Sequence, residues 1–233
     1  MELTFNKEKK PEILTSQGTW QRFAIKTHFI QPKESIDEII ERYIVGNIKE
    51  TDIVSFSQKI VSLVQNKVIY KKDLKVGFWA KFLSKFVTKT PYGFSVGNPL
   101  KMQVAINMAG LPRIFLAGFL GTLGKIIGKR GVFYKIAGNQ VNELDGFYGE
   151  AFKEYSEMGI LGPEKCDEWC QRIKDKYRFE DIVADVNDLG GNILGASDGL
   201  KDKKKLMLEI LKDNPSGQGE QQTPIIILRK VND

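Results

Sequence analysis

The feature that most constrains the fold is a set of short apolar runs set irregularly among helical stretches. "DIVSFS" (Asp52–Ser57), "DIVAD" (Asp181–Asp185) and "TPIIILRK" (Thr223–Lys230) each read as a strand, the last buried with a polar exit. Strands and helices interleave here without the repeating rhythm of parallel crossover units. That pattern predicts an α+β fold, with mixed sheets and packed helices. Another strand is expected over Trp20–Ile30, ended by Pro32. Ser35-Ile36-Asp37-Glu38 has the form of a capping box, and Ile36, Ile39, Ile40, Tyr43 and Ile44 follow at helical spacing. A helix is therefore expected from Ser35 to Val45. Residues 58–70 read as strand or short helix with a turn at Gln65-Asn66. Further helices are expected over 75–89, near Lys101–Met108, from Pro163 onward and over Lys201–Pro215. Residues 1–18 are polar and are expected to be a flexible segment ahead of a domain covering 19–233.

Residue inventory narrows the chemistry. His28 is the single histidine of 233 residues, so a two-histidine zinc motif is excluded within one chain. No G-x-S-x-G elbow exists to pair with it, which leaves acid–base work to Asp, Glu or Lys. Cys166 and Cys170 are four apart on an expected helix and read as packing positions in a reducing compartment. The N-terminal residues lack an apolar signal core, so a cytoplasmic location is expected. "IFLAGFLGTL" (Ile114–Leu123) is too short and glycine-rich for a spanning helix. Gly118, Gly124 and Lys125 miss P-loop spacing, and Ile126 stands where Ser or Thr is needed. Over 75–89, Val76, Trp79, Phe82, Leu83 and Phe86 form an apolar stripe flanked by lysines. Such a stripe reads first as core or subunit interface, and second as a membrane-surface helix.

Three segments join strand ends to small or amide side chains. They are Ser55–Lys59, Asp185–Asn192 and Asn214–Pro224. Serine, lysine and glycine amides suit phosphate, and Asp185 and Asp188 offer the hard oxygens that Mg²⁺ or Mn²⁺ prefers. Taken singly, each segment is an ordinary loop.

Along most of its length, from Ala24 to Arg229, the chain resembles the coenzyme F-420 γ-glutamyl ligase family. The stretches that carry the likeness are "IKTHFI", "DIVSFSQKIVS", "VADVNDLGGNILG" and "GQGEQQTPIIILR". The resemblance implies nucleotide contacts, with GTP or another nucleoside triphosphate, at Thr27, His28, Phe29 and Ile30 and at Ser57, Gln58 and Lys59. It implies the same for Gly217, Gln218 and Gly219. It also implies a Mg²⁺ or Mn²⁺ site at Asp185, Asn187 and Asp188, with Lys59 and Asp188 as the catalytic pair. The reaction would add L-glutamate by an amide bond to the carboxylate of a deazaflavin-type coenzyme, or of a related acid. An acyl phosphate would be the intermediate. Lys125, Lys129, Arg130 and Lys135 would receive the anionic acid or glutamate, or serve only solubility. The family is dimeric, so a homodimer is expected, while nucleic acid and membrane surfaces are not expected partners. Residues 75–150 depart from better-known members, so the ligase-like domain is one body or two subdomains with a divergent centre. Asn98 stands where the family pattern has a carboxylate, with Asp145 as a substitute, and "GGNILGAS" replaces a basic run. These departures carry the alternative of a catalytically degenerate ligase-like protein that binds a nucleotide or phosphorylated cofactor.

Overall fold

A computed structural model describes residues 3–87, 96–129, 131–147, 155–188, 190–217 and 221–231. In chain order the first elements are β1 (Glu12–Thr15), β2 (Gly18–Ile25), α1 (Ile36–Tyr43), β3 (Ile53–Ser57) and α2 (Gln58–Val64). Next come β4 (Val68–Tyr70), α3 (Phe78–Leu83), α4 (Pro99–Ala109), α5 (Leu111–Ile126), α6 (Val132–Ala137) and α7 (Asn139–Asn142). The last are β5 (Asp145–Gly146), β6 (Met158–Ile160), α8 (Cys166–Tyr177), β7 (Glu180–Asn187), β8 (Gly190–Ala196), α9 (Lys204–Leu211) and β9 (Ile225–Lys230). The fold is mixed α+β. It divides into two compact units, Met1–Asn66 with Pro163–Asp233, and Lys67–Gly162.

The first unit is built on a six-stranded sheet of order β1-β2-β9-β3-β7-β8. Only β3 and β7 run parallel; the other neighbours are antiparallel. The reason β9 takes a central place lies in its run of β-branched and apolar residues. Ile225, Ile226, Ile227 and Leu228 are all buried, so both faces of this strand need cover. On one face Ile226 and Leu228 join Trp20, Ile53, Ile182 and the α9 residues Leu206, Met207 and Ile210 in one cluster. On the other, Phe56 meets the edge of Trp169 on α8 at 5.1 Å.

Local chemistry explains the helices of this unit. Ser35 caps α1, its hydroxyl accepting from the Glu38 amide at 3.4 Å, and Ile36, Ile39, Ile40 and Tyr43 face the core. Helix α8 begins three residues after Pro163 and buries Cys166, Trp169, Cys170 and Ile173; both cysteines are free thiols. Gly195 lets β8 approach it: a Cβ there would overlap the backbone carbonyl of Cys166. Gly195→Ala is therefore expected to cost about 1–3 kcal/mol. An unchanged thermal melting curve would show that this contact carries no weight.

Where polarity suggests a flexible segment, the described part, residues 3–18, carries strand pairing. Strand β1 pairs with β2 from Glu12↔Gln21 to Thr15↔Gly18, and Phe5 bridges to Phe23 with rings 4.6 Å apart. An edge strand draws its stability from main-chain pairing and needs few apolar side chains, which is why composition concealed it. The buried Arg22 secures the same segment. It donates to the Lys10 and Ile210 carbonyls and to the Asp213 carboxylate. Burial alone would raise the Asp213 pKa, but Arg22 more than offsets this and holds it below the usual carboxylate range.

The second unit has a small antiparallel sheet, β4-β6-β5, and helices α3 to α7. Ala80, Met102, Ala105, Ile114, Ala117 and Val141 form its helical core. Asn98, which stands where a metal carboxylate was sought, caps α4 instead, its side chain accepting from the Leu100 amide at 2.8 Å. The stripe over 75–89 is core only in part: Val76 and Leu83 are partly buried against the helical core, and Trp79, Phe82 and Phe86 are not. Its regular part spans Phe78–Leu83 with a 3-10 turn over Ser84–Phe86, and residues 88–89 lie outside the described residues. Ala80 and Ser84 are the buried side chains there, while Phe78, Trp79, Phe82 and Phe86 are exposed.

Candidate functional site

Strand register brings separate parts of the chain to one edge of the large sheet. Ile25 on β2 pairs with Ile225 on β9, and Ile225 pairs with Phe56 on β3. Ser57 pairs with Ala184 on β7, and Ala184 with Ile193 on β8. Just past this row lie Thr27 to Ile30, Gln58 and Lys59 in the first turn of α2, Asp185 to Asp188, and the residues that lead into β9. Main-chain bonds stitch these ends together. The Thr27 amide donates to the Gln222 carbonyl at 3.0 Å, and the Ser57 amide donates to the Pro224 carbonyl at 2.9 Å.

The expected site residues take different roles at this edge. Thr27 is buried, and its hydroxyl donates to the His28 carbonyl at 2.8 Å. The ring of His28 is engaged at both nitrogens, with Nδ1 2.8 Å from the Tyr43 hydroxyl and Nε2 2.6 Å from Glu34 Oε1. Its own amide donates to Tyr43 Oη at 3.1 Å. His28 is thus a rivet between the β2 exit and α1, and its imidazole offers no spare nitrogen to a ligand. Ile30 is buried and Phe29 half-buried. The Ser57 hydroxyl is the N-cap of α2, accepting from the Ile60 amide at 3.5 Å. Gln58 is buried, and Lys59 is half-buried beside it.

Of the metal residues, Asp185 and Asn187 share one face of the sheet and Asp188 lies beyond the strand. The "VNDLGG" stretch reads as a loop, but the residues flanking Leu189, which lies outside the described residues, are paired antiparallel, with Asp185 opposite Asn192 and Asn187 opposite Gly190. Ile182, Ala184 and Val186 point to the α9 cluster, so alternation turns Asp185 and Asn187 to the opposite face. Helix α2 packs on β3 and β7, and none of its buried residues belongs to the α9 cluster, so α2 covers that same opposite face. Asp188 lies beyond the strand and makes an ion pair with Lys9 at 2.8 Å. Asp185 therefore lies on the face covered by α2, the helix that carries Lys59, and Asp188 is held by Lys9 of the N-terminal segment.

That segment also ties down the loop before β9. Asn6 donates to the Pro215 carbonyl at 3.1 Å, and Gln221 donates to Glu8 at 2.7 Å. Gly217 has φ of 78°, a left-handed value that favours glycine, and its amide donates to the Asn214 carbonyl at 3.0 Å. Gln218, Gly219 and Arg130 lie outside the described residues. Asn98, Asp145, Lys125, Lys129 and Lys135 belong to the second unit.

Sequence reasoning did not find the Tyr43–His28–Glu34 network or the Lys9–Asp188 pair. Glu34 carried no motif, and Lys9 lies 179 residues from its partner. An open groove lined by Asp167, Gln171, Asp175, Asp198 and Lys201 lies elsewhere, at the β8 exit. Among the described residues no group of three or more His, Cys, Asp or Glu side chains is gathered to hold a metal ion. Mg²⁺ often takes only one or two protein carboxylates and draws its other ligands from phosphate and water. Asp185 fits that limited role; a closed protein cage does not fit these residues. No protein-family model and no curated protein matches the chain.

Proposed function

We propose that the chain is a cytoplasmic, nucleotide-dependent acid–amino-acid ligase of the coenzyme F-420 γ-glutamyl ligase type. Its substrates are an acid of deazaflavin-coenzyme type and L-glutamate. The observation that carries this reading is the convergence of Thr27–Ile30, Ser57–Lys59, Asp185–Asn187 and the β9 entry at one sheet edge.

A carboxylate is a poor acyl donor because its leaving oxygen is too basic. Transfer of the γ-phosphoryl group to that oxygen breaks the bond to the β-phosphate and gives an acyl phosphate and a nucleoside diphosphate. The glutamate amine then attacks the acyl carbon. The C–N bond forms, phosphate leaves, and the amine gives up a proton. What a protein contributes to such a step is alignment and neutralised charge. Lys59 sets a compact cation against the phosphates. A divalent ion on the nucleotide would neutralise phosphate oxygens, and Asp185 is the residue that would hold it. The Glu34–His28–Tyr43 network fixes the β2 exit so that main-chain groups of Thr27 to Ile30 keep their position.

A second reading is favoured by one observation. The Asp188 carboxylate is occupied by Lys9, as suits a relative that binds a nucleotide without turning it over. Thermal denaturation with GTP and ATP, each with and without Mn²⁺, separates these readings. A nucleotide present at a hundredfold its dissociation constant is expected to stabilise the fold by roughly 2.7 kcal/mol. Lys59→Ala should remove most of that shift. Metal-dependent turnover in the presence of glutamate and an acid supports the ligase. A shift without turnover supports the binding protein, and no shift with any nucleotide overturns both.

A further inference from the structure

Two helices of the second unit are packed inside out. On α5 the buried side is made of Ile114, Ala117, Gly121 and Gly124, mostly small residues. Its outer side carries Leu116, Phe119, Leu123 and Ile126, with Phe119 64% and Ile126 76% exposed. Helix α3 and the 3-10 turn after it repeat the pattern: Ala80 and Ser84 turn inward while Phe78 and Phe86 stand 70% and 71% exposed. The two outer faces are continuous, because the Trp79 ring meets the edge of Phe115 at 5.2 Å. An exposed aromatic and aliphatic surface of this extent marks an interaction site.

Charge selects the occupant. From Leu74 to Asn142 the chain has no acidic residue and ten Lys or Arg. Lys81 and Lys85 accompany the α3 face, and Lys125 and Lys129 accompany the end of α5. A second copy of this surface would bring like charges together, which disfavours self-association. Nucleic acid would satisfy the lysines and leave Leu116, Leu123 and Ile126 in water. An anionic bilayer satisfies both, taking rings and aliphatic chains into its interface and lysines at its headgroups. Among the described residues no single helix is long and apolar enough to cross it. Helix α5 has 16 residues, about 24 Å of length against roughly 30 Å of hydrocarbon, and it meets α4 at a 115° bend.

We propose that the α3–α5 face docks flat on an anionic lipid membrane. The docking owes nothing to the nucleotide reading, and it reverses the expectation that the membrane is no partner. The test uses phosphatidylcholine vesicles with and without about one-third phosphatidylglycerol. Trp20 and Trp169 are buried and Trp79 is exposed, so a blue shift of tryptophan emission reports entry of this face. The full chain is expected to co-sediment with the anionic vesicles, to shift its emission, and to lose both responses at about 0.5 M salt. Phe78→Ser with Phe119→Ser should weaken partitioning at least about tenfold. Lys81→Gln and Lys85→Gln should each weaken it about fivefold. All these side chains are exposed, and far-UV circular dichroism checks that each variant is folded. Folded protein that ignores anionic vesicles, or binds neutral ones equally, overturns the proposal. So does a dimer that the Phe variants dissolve while no vesicle binds, which would assign the face to a second copy.

Discussion

Arg229→Met is expected to cost about 3–5 kcal/mol of folding stability, or to prevent folding altogether. Asp52, at the entry to β3, is buried with its carboxylate wholly out of water. Arg229 on β9 grips both of its oxygens, with Nε 2.8 Å from Oδ1 and Nη2 2.6 Å from Oδ2. The same guanidinium lies 5.1 Å above the Phe23 ring, so it joins β2, β9 and β3. The pairing with Asp52 also raises the already high pKa of Arg229, so the guanidinium stays charged. Methionine keeps the aliphatic stem and removes the charge. It leaves the Asp52 carboxylate with the bond it accepts from the Lys49 amide at 2.8 Å. Urea denaturation at about pH 7 measures the loss. The double variant Asp52→Asn with Arg229→Met should regain most of it, because a neutral pair no longer strands a charge. A single variant within about 1 kcal/mol of the parent would show that the pair is dispensable.

The second large effect is a pH dependence. Asp181, on β7, is fully buried, and among the described residues neither carboxyl oxygen has a hydrogen-bond partner. The Cys170 thiol faces it and lowers its pKa; Glu180 raises it and Lys174 lowers it by smaller amounts. Burial dominates and pushes the carboxyl up to about 8. Burial likewise pushes the Cys170 thiol upward, so this corner of the core is neutral at physiological pH. In the unfolded chain Asp181 ionises near its ordinary value of 3.8, while in the fold it keeps its proton until about 8. The unfolded state therefore binds fewer protons throughout that window. Stability from this group is fully present below 3.8 and is lost as pH rises through about 8. The full span is on the order of 5 kcal/mol. Asp181→Asn keeps the shape and does not titrate, so its advantage over the parent should grow between about pH 5 and pH 8. Denaturation midpoints of the two proteins that run parallel across this range would rule the mechanism out.

The elements legible in the sequence were those fixed by local chemistry. Ser35 and Glu38 mark the start of α1, Asn214-Pro215 follows the end of α9, and the isoleucine run names β9. The α+β class followed from their irregular order. Misreadings came where pairing or context decides. Strand β1 is polar and is stabilised by β2. The Gly190-Gly191 pair looks like a loop but begins β8. Helix α5 hides because Gly121 and Gly124 turn inward while Leu116, Phe119, Leu123 and Ile126 turn outward, the reverse of the usual rule. The candidate site was legible as three suspicious segments, not as a place. Its assembly depends on register between strands such as Ile25 and Ile225, which no local pattern encodes. The fate of His28 and Asp188 was invisible for the same reason, since Tyr43, Glu34 and Lys9 reach them only once the chain has folded.

The position of β9 dictates an order of events during synthesis. This strand lies between β2 and β3, yet it is translated after every other strand. While the ribosome is still upstream of Ile225, β1 and β2 have no hydrogen-bonding bridge to β3, β7 and β8, and their apolar faces stand open. The inserted unit, complete by Gly162, is under no such restraint. A nascent chain therefore carries a finished insert beside a split sheet. That interval is when a chaperone would have most to protect.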